Sequence, residues 1–314
     1  MVKKFMDIKP ASRVSRFPSS KSERWSARFH YNTFTPYIFL LPFIILFLIF
    51  WIWPIFYSFN LSLLNTRNPP WVFDPTFNWN RLINDPQFFN ALGNTLVILV
   101  GQIPLMLTLA LLLALAFNSK ALKAKAFYRF AFFAPLVLGA VPYSAIFRLI
   151  FNTQYGLLNF ILETLGFERV AWLNSDVPAI ITIIIALTWR WTGYNAIIIL
   201  TGIQSIPEHL YEAAKIDGAG SFRIFWSITL PLLRPVLLFT LVLSTIGTLQ
   251  LFTEPWLITV TGPAGATETL GTYLYKQGFR SFNFGYASAI GYAIAIMAGI
   301  VSLLQIRFVG NKNS

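Results

Sequence analysis

The sequence predicts an all-α, multi-pass membrane protein with six spans and both termini in the cytosol. Three observations carry that expectation. Of 314 residues, 56% are hydrophobic and only 11% are charged, against about 45–50% and about 25% in soluble domains, and mean hydropathy is +0.61. The apolar residues gather in long runs without Asp, Glu, Lys or Arg, and a helical span needs ~20 such residues. Lys and Arg cluster in alternate connections between those runs, the asymmetry that sets orientation in a bilayer. Together these exclude a disordered chain, a fibrous repeat and an ordinary soluble enzyme.

Residues 1–34 read as a basic cytosolic tail, with Lys3, Lys4, Lys9, Arg13, Arg16, Lys21, Arg24 and Arg28 against Asp7 and Glu23. No apolar run follows closely enough for a cleavable signal peptide. The charge-free stretch from Phe29 to Thr66 holds a first span, about 35–59, and that from Pro86 to Ser119 a second, about 91–117. Further spans are expected at about 127–150, 177–203, 230–260 and 284–308, which makes 35–308 the membrane domain and 309–314 a second cytosolic tail. The connection after span two carries Lys120, Lys123, Lys125 and Arg129. That after span four carries Lys215, Arg223 and Arg234, and the end carries Arg307 and Lys312. The other side has only Arg67, Arg81, Arg169, Lys276 and Arg280. The net charge of +12 is thus mainly a topology signal, and no nucleic-acid partner is expected. Trp51, Trp53, Tyr57, Trp256 and Tyr273 near span ends suit an interfacial belt.

There is no Cys, and the two histidines, His30 and His209, are far apart. A disulfide framework, a thiolate nucleophile and a metal site are not expected. No Gly-x-x-x-x-Gly-Lys-Ser/Thr phosphate loop is present, and no internal repeat is visible.

The cytosolic loop 205–229 is the most informative stretch. Ser205 and Glu208 have capping-box spacing, and Pro207 suits a first helical turn. Ile206, Leu210, Ala213 and Ala214 form an apolar stripe, with Glu208, Glu212 and Lys215 on another face. Gly218 and Gly220 can end the helix in a left-handed conformation. A short amphipathic helix results, in which two alanines beside a carboxylate let another protein approach closely.

The segment resembles the EAA loop of ABC importer permeases: Glu212, Ala213, Ala214, then Gly218, Ile228, Leu230 and Pro231. Ile216-Asp217-Gly218-Ala219 agrees with the sugar-transporter branch. So do Leu41-Pro42 through Trp53-Pro54-Ile55, Thr261-Gly262-Pro263 with Thr267-Glu268-Thr269-Leu270, and Tyr286-Ala287-Ser288-Ala289. The resemblance runs from about Pro36 to the C-terminus and is nearest the maltose-transporter type. It implies a six-helix type I permease bundle in the bacterial inner membrane that is not itself an enzyme and binds no cofactor. ATP and Mg would be held by two copies of a separate ATPase subunit, docked on a coupling helix carrying Glu212, Ala213, Ala214, Asp217 and Gly218. A second homologous permease subunit and an extracytoplasmic solute-binding protein would complete the assembly. The substrate would be a sugar or glycoside, or alternatively a polyol or glycerol-phosphate-type solute.

A rival class is a self-contained secondary carrier or channel. Such carriers bury carboxylates at mid-membrane and show related halves, whereas the candidates here are few: Arg148, Arg190 and Glu254. For a path through the bundle, Leu187, Arg190, Trp191 and Tyr194 share helical spacing in span four. Ser244, Gly247, Thr248 and Leu251 do so in span five, with Gln250 and Glu254 nearby. The resemblance implies substrate contacts at about these depths. Arg190 is the hardest to place as packing, because a mid-span charge is costly unless paired or hydrated. It is expected to meet sugar hydroxyls or a facing carboxyl such as Glu254. Pro255 is expected to interrupt span five near its outer end.

Overall fold

The structure, a computed structural model, describes residues 35–67 and 69–310. The predicted tail 1–34 and residues 311–314 lie outside the described residues. The chain divides at Tyr57/Ser58. From Thr35 to Tyr57 it is helical, Thr35–Phe47 passing through a π-helical turn, Leu48–Ile52, into Trp53–Ser62 (together α1). Large apolar side chains such as Phe39, Phe50 and Trp51 are exposed along it.

From Ser58 onward, a two-stranded antiparallel ribbon, β1 (Leu64–Asn65) with β2 (Val72–Phe73), pairs Leu64 with Phe73. It is followed by α2 (Phe77–Ile83), α3 (Pro86–Asn118), α4 (Lys125–Val137), α5 (Ala140–Ile150) and α6 (Leu157–Thr164). Then come α7 (Asp176–Gln204), α8 (Glu208–Ile216), α9 (Ser221–Leu249), α10 (Thr253–Leu257), α11 (Leu270–Tyr275) and α12 (Phe284–Gly310). Among the described residues, five helices are long and apolar enough to cross a bilayer, or six if the bent pair α4–α5 is one span. In hydrocarbon every backbone polar group must find its partner inside the protein, which is why apolar runs of this length become helices.

The long helix α7 lies at the centre, packed chiefly on α3, with α4 and α9 also against it. Ala110 and Ala114 of α3 and Ala186 and Ala196 of α7 are fully buried. Small residues of this kind let helix backbones close up. The extreme case is Gly193, where a Cβ would lie 1.8 Å from the Phe132 carbonyl oxygen. The α4 backbone therefore crosses α7 directly on this glycine. Near the other end of the two helices, Ile98 of α3 packs with Ile183 and Leu187 of α7, so the pair runs parallel.

Two expected spans are broken, and a proline marks each break. Where the sequence pattern predicts one third span, α4 and α5 meet at 98°, with Leu138 and Gly139 extended between them. Pro142 has no amide to offer the Leu138 carbonyl four residues back, and the Arg190 guanidinium donates to that carbonyl instead, at 3.4 Å. The expected fifth span, about 230–260, begins earlier, at Ser221, and its helix stops at Leu249. Pro255 likewise leaves the Leu251 carbonyl unserved, and the Thr269 hydroxyl donates to it at 2.6 Å. The interruption thus falls at 250–252, ahead of the proline.

The end of the bundle away from α8 is tied by one carboxylate. Asp85 caps α3, accepting from the Gln87 amide at 3.0 Å, and also accepts from the hydroxyls of Tyr273 and Tyr286. Gln277 donates to the Tyr273 hydroxyl at 3.1 Å, and the Arg81 guanidinium sits 3.8 Å over the Tyr286 ring. Burial works to raise the Asp85 pKa. The two tyrosine hydroxyls and the amides of Gln87 and Phe88 outweigh it and hold the carboxyl below its ordinary value.

Candidate functional site

The α9–α10 break opens on a cavity of about 290 Å³ in the middle of the bundle. Leu187, Arg190, Trp191 and Tyr194 reach it from α7. Ser244, Gly247, Thr248, Gln250, Leu251 and Glu254 reach it from α9, the break and α10. Eight of these are the residues singled out from helical spacing, Gln250 and Glu254 are the two named as nearby, and all ten share one cavity. Sequence reasoning missed Gln102, Met106, Asn195, Leu243, Phe252 and Thr253, which also line it. A signal existed for Gln102, a lone amide deep within a charge-free apolar run. None existed for Phe252, whose position follows from the break.

The cavity wall is a mixture of fixed and free polar groups. Gln102 is held, donating to the Met106 sulfur at 3.1 Å and accepting from the Thr248 hydroxyl at 3.4 Å. Asn195 donates to the Trp191 carbonyl at 3.0 Å. Arg190 rests on the Tyr143 ring at 4.6 Å and on the Leu138 carbonyl, but its Nη1 is buried without a hydrogen-bond partner among the described residues. Its guanidinium and the buried Glu254 line the same cavity, yet the ion pairs among the described residues are Lys120–Glu208, Arg169–Glu163 and Lys276–Glu268. Of the two alternatives expected for Arg190, sugar hydroxyls or a facing carboxyl such as Glu254, the second is not met by a direct ion pair: the corner carbonyl and the Tyr143 ring take the guanidinium. Trp191 and Tyr194 meet edge-on at 6.0 Å. The arrangement offers ring faces and spare hydrogen-bonding groups side by side. It has no nucleophile–base pair, and no metal-binding cluster occurs among the described residues.

The second region is α8. The expected capping box does not form: Pro207 is the N-cap, and the Ser205 hydroxyl donates to the Gly202 carbonyl at 2.8 Å. The other end behaves as the glycine predicts. Gly218 has φ +75°, its amide donates to the Lys215 carbonyl at 3.0 Å, and the Ala219 amide donates to Ala214 at 2.9 Å, a Schellman closure. Gly220 has φ −72° and plays no such part. Ile206, Leu210 and Tyr211 anchor α8 on the cluster that includes Ile199 and Leu233, and the Tyr211 hydroxyl lies 3.3 Å from that of Thr229. Of the candidate coupling residues, Glu212, Ala213, Asp217 and Gly218 are exposed, and Ala214 is half-buried. Ile216 is 86% and Phe222 is 78% exposed, so this end presents apolar groups that no described residue covers.

The profile of the binding-protein-dependent transport system inner membrane component family matches residues 86–310. The lactose transport system permease protein of Rhizobium radiobacter is 43% identical over 86% of this chain and 92% of its own length. An arabinooligosaccharides transport system permease protein of Bacillus subtilis is 35% identical over 93% of this chain and 94% of that protein. Among solved structures, a chain of a bacterial ABC transporter involved in the import of the acidic polysaccharide alginate superposes with TM-score 0.77. It is 24% identical and covers 93% of this chain and 98% of its own, and so speaks for the fold. The chain belongs to the binding-protein-dependent transport system inner membrane components, the permease subunits of ABC transporters.

Proposed function

We propose that this permease carries a sugar or glycoside into the cytoplasm through the central cavity, as one membrane subunit of an ATP-driven importer. The observation that supports it most is the make-up of that cavity, where Trp191, Tyr194 and Phe252 supply ring faces beside Arg190, Ser244 and Gln250. Sugars bind through apolar C–H faces on aromatic rings together with hydrogen bonds from hydroxyls. The names of the lactose and arabinooligosaccharide relatives agree with this class. A glycerol-phosphate-type solute calls for several cations, and among the described residues Arg190 is the single one on the wall.

In this reading both termini are cytosolic, the assembly sits in the bacterial plasma membrane, and an extracytoplasmic binding protein delivers the solute. A second, homologous permease completes the path. Two ATPase subunits bind ATP and Mg, and α8 with Glu212, Ala213, Ala214, Asp217 and Gly218 docks on them. ATP binding brings the ATPases together and favours the outward-open bundle, and hydrolysis returns it. The bias arises only from contacts that differ between the two states. The test is uptake of radiolabelled lactose and arabinotriose into vesicles holding the assembled transporter, with binding protein in excess. Arg190→Leu should impair uptake while assembly with the ATPase persists, and Thr248→Trp should block the cavity by bulk. Undiminished uptake by both variants refutes the assignment of the path.

A further inference from the structure

The α9–α10 break has a cavity on each side. Beyond the central one, a second of about 400 Å³ lies against α11 and α12, and Gln250 and Phe252 line both. Gly271 and Gly291 contribute to the room in the second cavity, and Tyr275 supplies its other ring.

The two rings are held in place from behind. Phe252 stacks on Trp256 at 5.7 Å and meets Tyr275 at 5.1 Å. Tyr275 is backed by Phe279 at 5.3 Å, and Trp256 by the Arg280 guanidinium at 4.7 Å. Their contact faces are therefore immobilised before any ligand arrives, and binding costs them little ordering. The Gln250 side chain and the Tyr275 hydroxyl make no hydrogen bond among the described residues. An acyl chain uses neither group. A sugar uses both, because each pyranose or furanose ring has an apolar face for an aromatic ring and hydroxyls for an amide or a phenol. The second cavity is the more apolar of the two, with Leu274, Ile294 and Ala295 on its wall and Gln250 and Tyr275 as its polar side chains, and it meets the first at Gln250 and Phe252.

We propose that Gln250, Phe252 and Tyr275 form a second sugar subsite contiguous with the central cavity, so that a glycoside of two or more units spans both across the break. This rests on the sugar reading above and adds the place that a second sugar unit would occupy.

The experiment fills the second cavity without touching the first. A Cβ at Gly291 meets only the Leu274 Cδ1 atom, at 3.5 Å, so Gly291→Leu is accommodated at its root and projects into the space. In the same vesicles and with the same lactose and arabinotriose, Gly291→Leu should cut uptake of both. Tyr275→Leu should cut it by roughly three- to tenfold, the scale of one lost aromatic contact, and Tyr275→Phe should retain most of it. The ATPase should co-purify with each variant as with the unaltered chain. Because the chain has no Cys, Gly291→Cys gives a binding readout: arabinotriose should protect it from a maleimide during turnover. If Gly291→Leu fails to assemble, Tyr275→Leu and the protection of Gly291→Cys decide the matter. Wild-type uptake by Gly291→Leu and Tyr275→Leu, with Thr248→Trp blocked, overturns the second subsite and leaves the central path standing. Undiminished uptake by all of them, or no uptake of either sugar by the unaltered chain, overturns both.

Discussion

Substitution at Gly218 separates two causes of failure that are usually confounded. The residue closes α8 with φ +75°, and a Cβ built there meets no atom within 4 Å. Among the described residues the cost of a side chain is therefore backbone strain, ~1–2 kcal/mol for an L-residue in the left-handed region. That is about a five- to thirtyfold shift between the closed and frayed ends of α8. Asn tolerates this region better than Ala or Leu. If strain alone matters, Gly218→Asn is mildest, and Gly218→Ala and Gly218→Leu are equal. If the exposed face around Gly218 docks on an ATPase, the order follows size, and Gly218→Leu is far worse than Gly218→Ala. The assay is uptake together with ATP hydrolysed per solute in vesicles, at matched amounts of permease. Normal uptake and normal coupling for Gly218→Leu would refute the docking role of this loop.

Three further outcomes are expected. Gly193→Ala forces the α4–α7 crossing open by more than an ångström, since its Cβ would start 1.8 Å from a backbone oxygen. It should destabilise the bundle by at least ~1–3 kcal/mol, seen as a lower thermal midpoint in detergent. Asp85→Asn removes a carboxylate whose pKa is depressed in the fold. That group stabilises above its unfolded pKa of about 3.9 and ceases to as pH falls through the lower folded value. The melting difference between wild type and variant should therefore be constant near neutrality and close only in strong acid; a difference that closes between pH 7 and 5 would count against it. Ala264→Cys should react with a membrane-impermeant maleimide from outside intact cells, and reaction only from the cytosolic side would reverse the orientation.

Much of the site was legible because helical periodicity is a geometric statement. Leu187, Arg190, Trp191 and Tyr194 recur at three and four residues, and Ser244, Gly247 and Thr248 do the same, so each set had to share a face, whereas Leu251 reaches the cavity from the break beyond the helix end. That the two faces meet across one cavity needed the packing of α7 on α3 and α9. The breaks were the least legible part. Pro142 and Pro255 are visible, but Pro42 and Pro104 also lie within helices that continue through them. What separates the cases is whether a side chain far along the chain takes the orphaned carbonyl, as Arg190 and Thr269 do. Ser205 misled for a related reason: its hydroxyl donates to the Gly202 carbonyl in the turn behind it, and Pro207 stands as the N-cap in its place.

The bond from Arg190 to the Leu138 carbonyl ties the cavity to the α4–α5 corner. The guanidinium is seated by a carbonyl that exists as a free acceptor only because the chain turns there, and by the Tyr143 ring just past that turn. Its location is thus a function of the corner angle rather than of α7 alone. A change in that angle carries the positive charge with it and alters the electric field felt by whatever occupies the cavity. Conversely, an occupant that attracts the guanidinium pulls on the corner. Bend and field are two readings of a single coordinate, so a probe on Leu138 should register solute that never touches it.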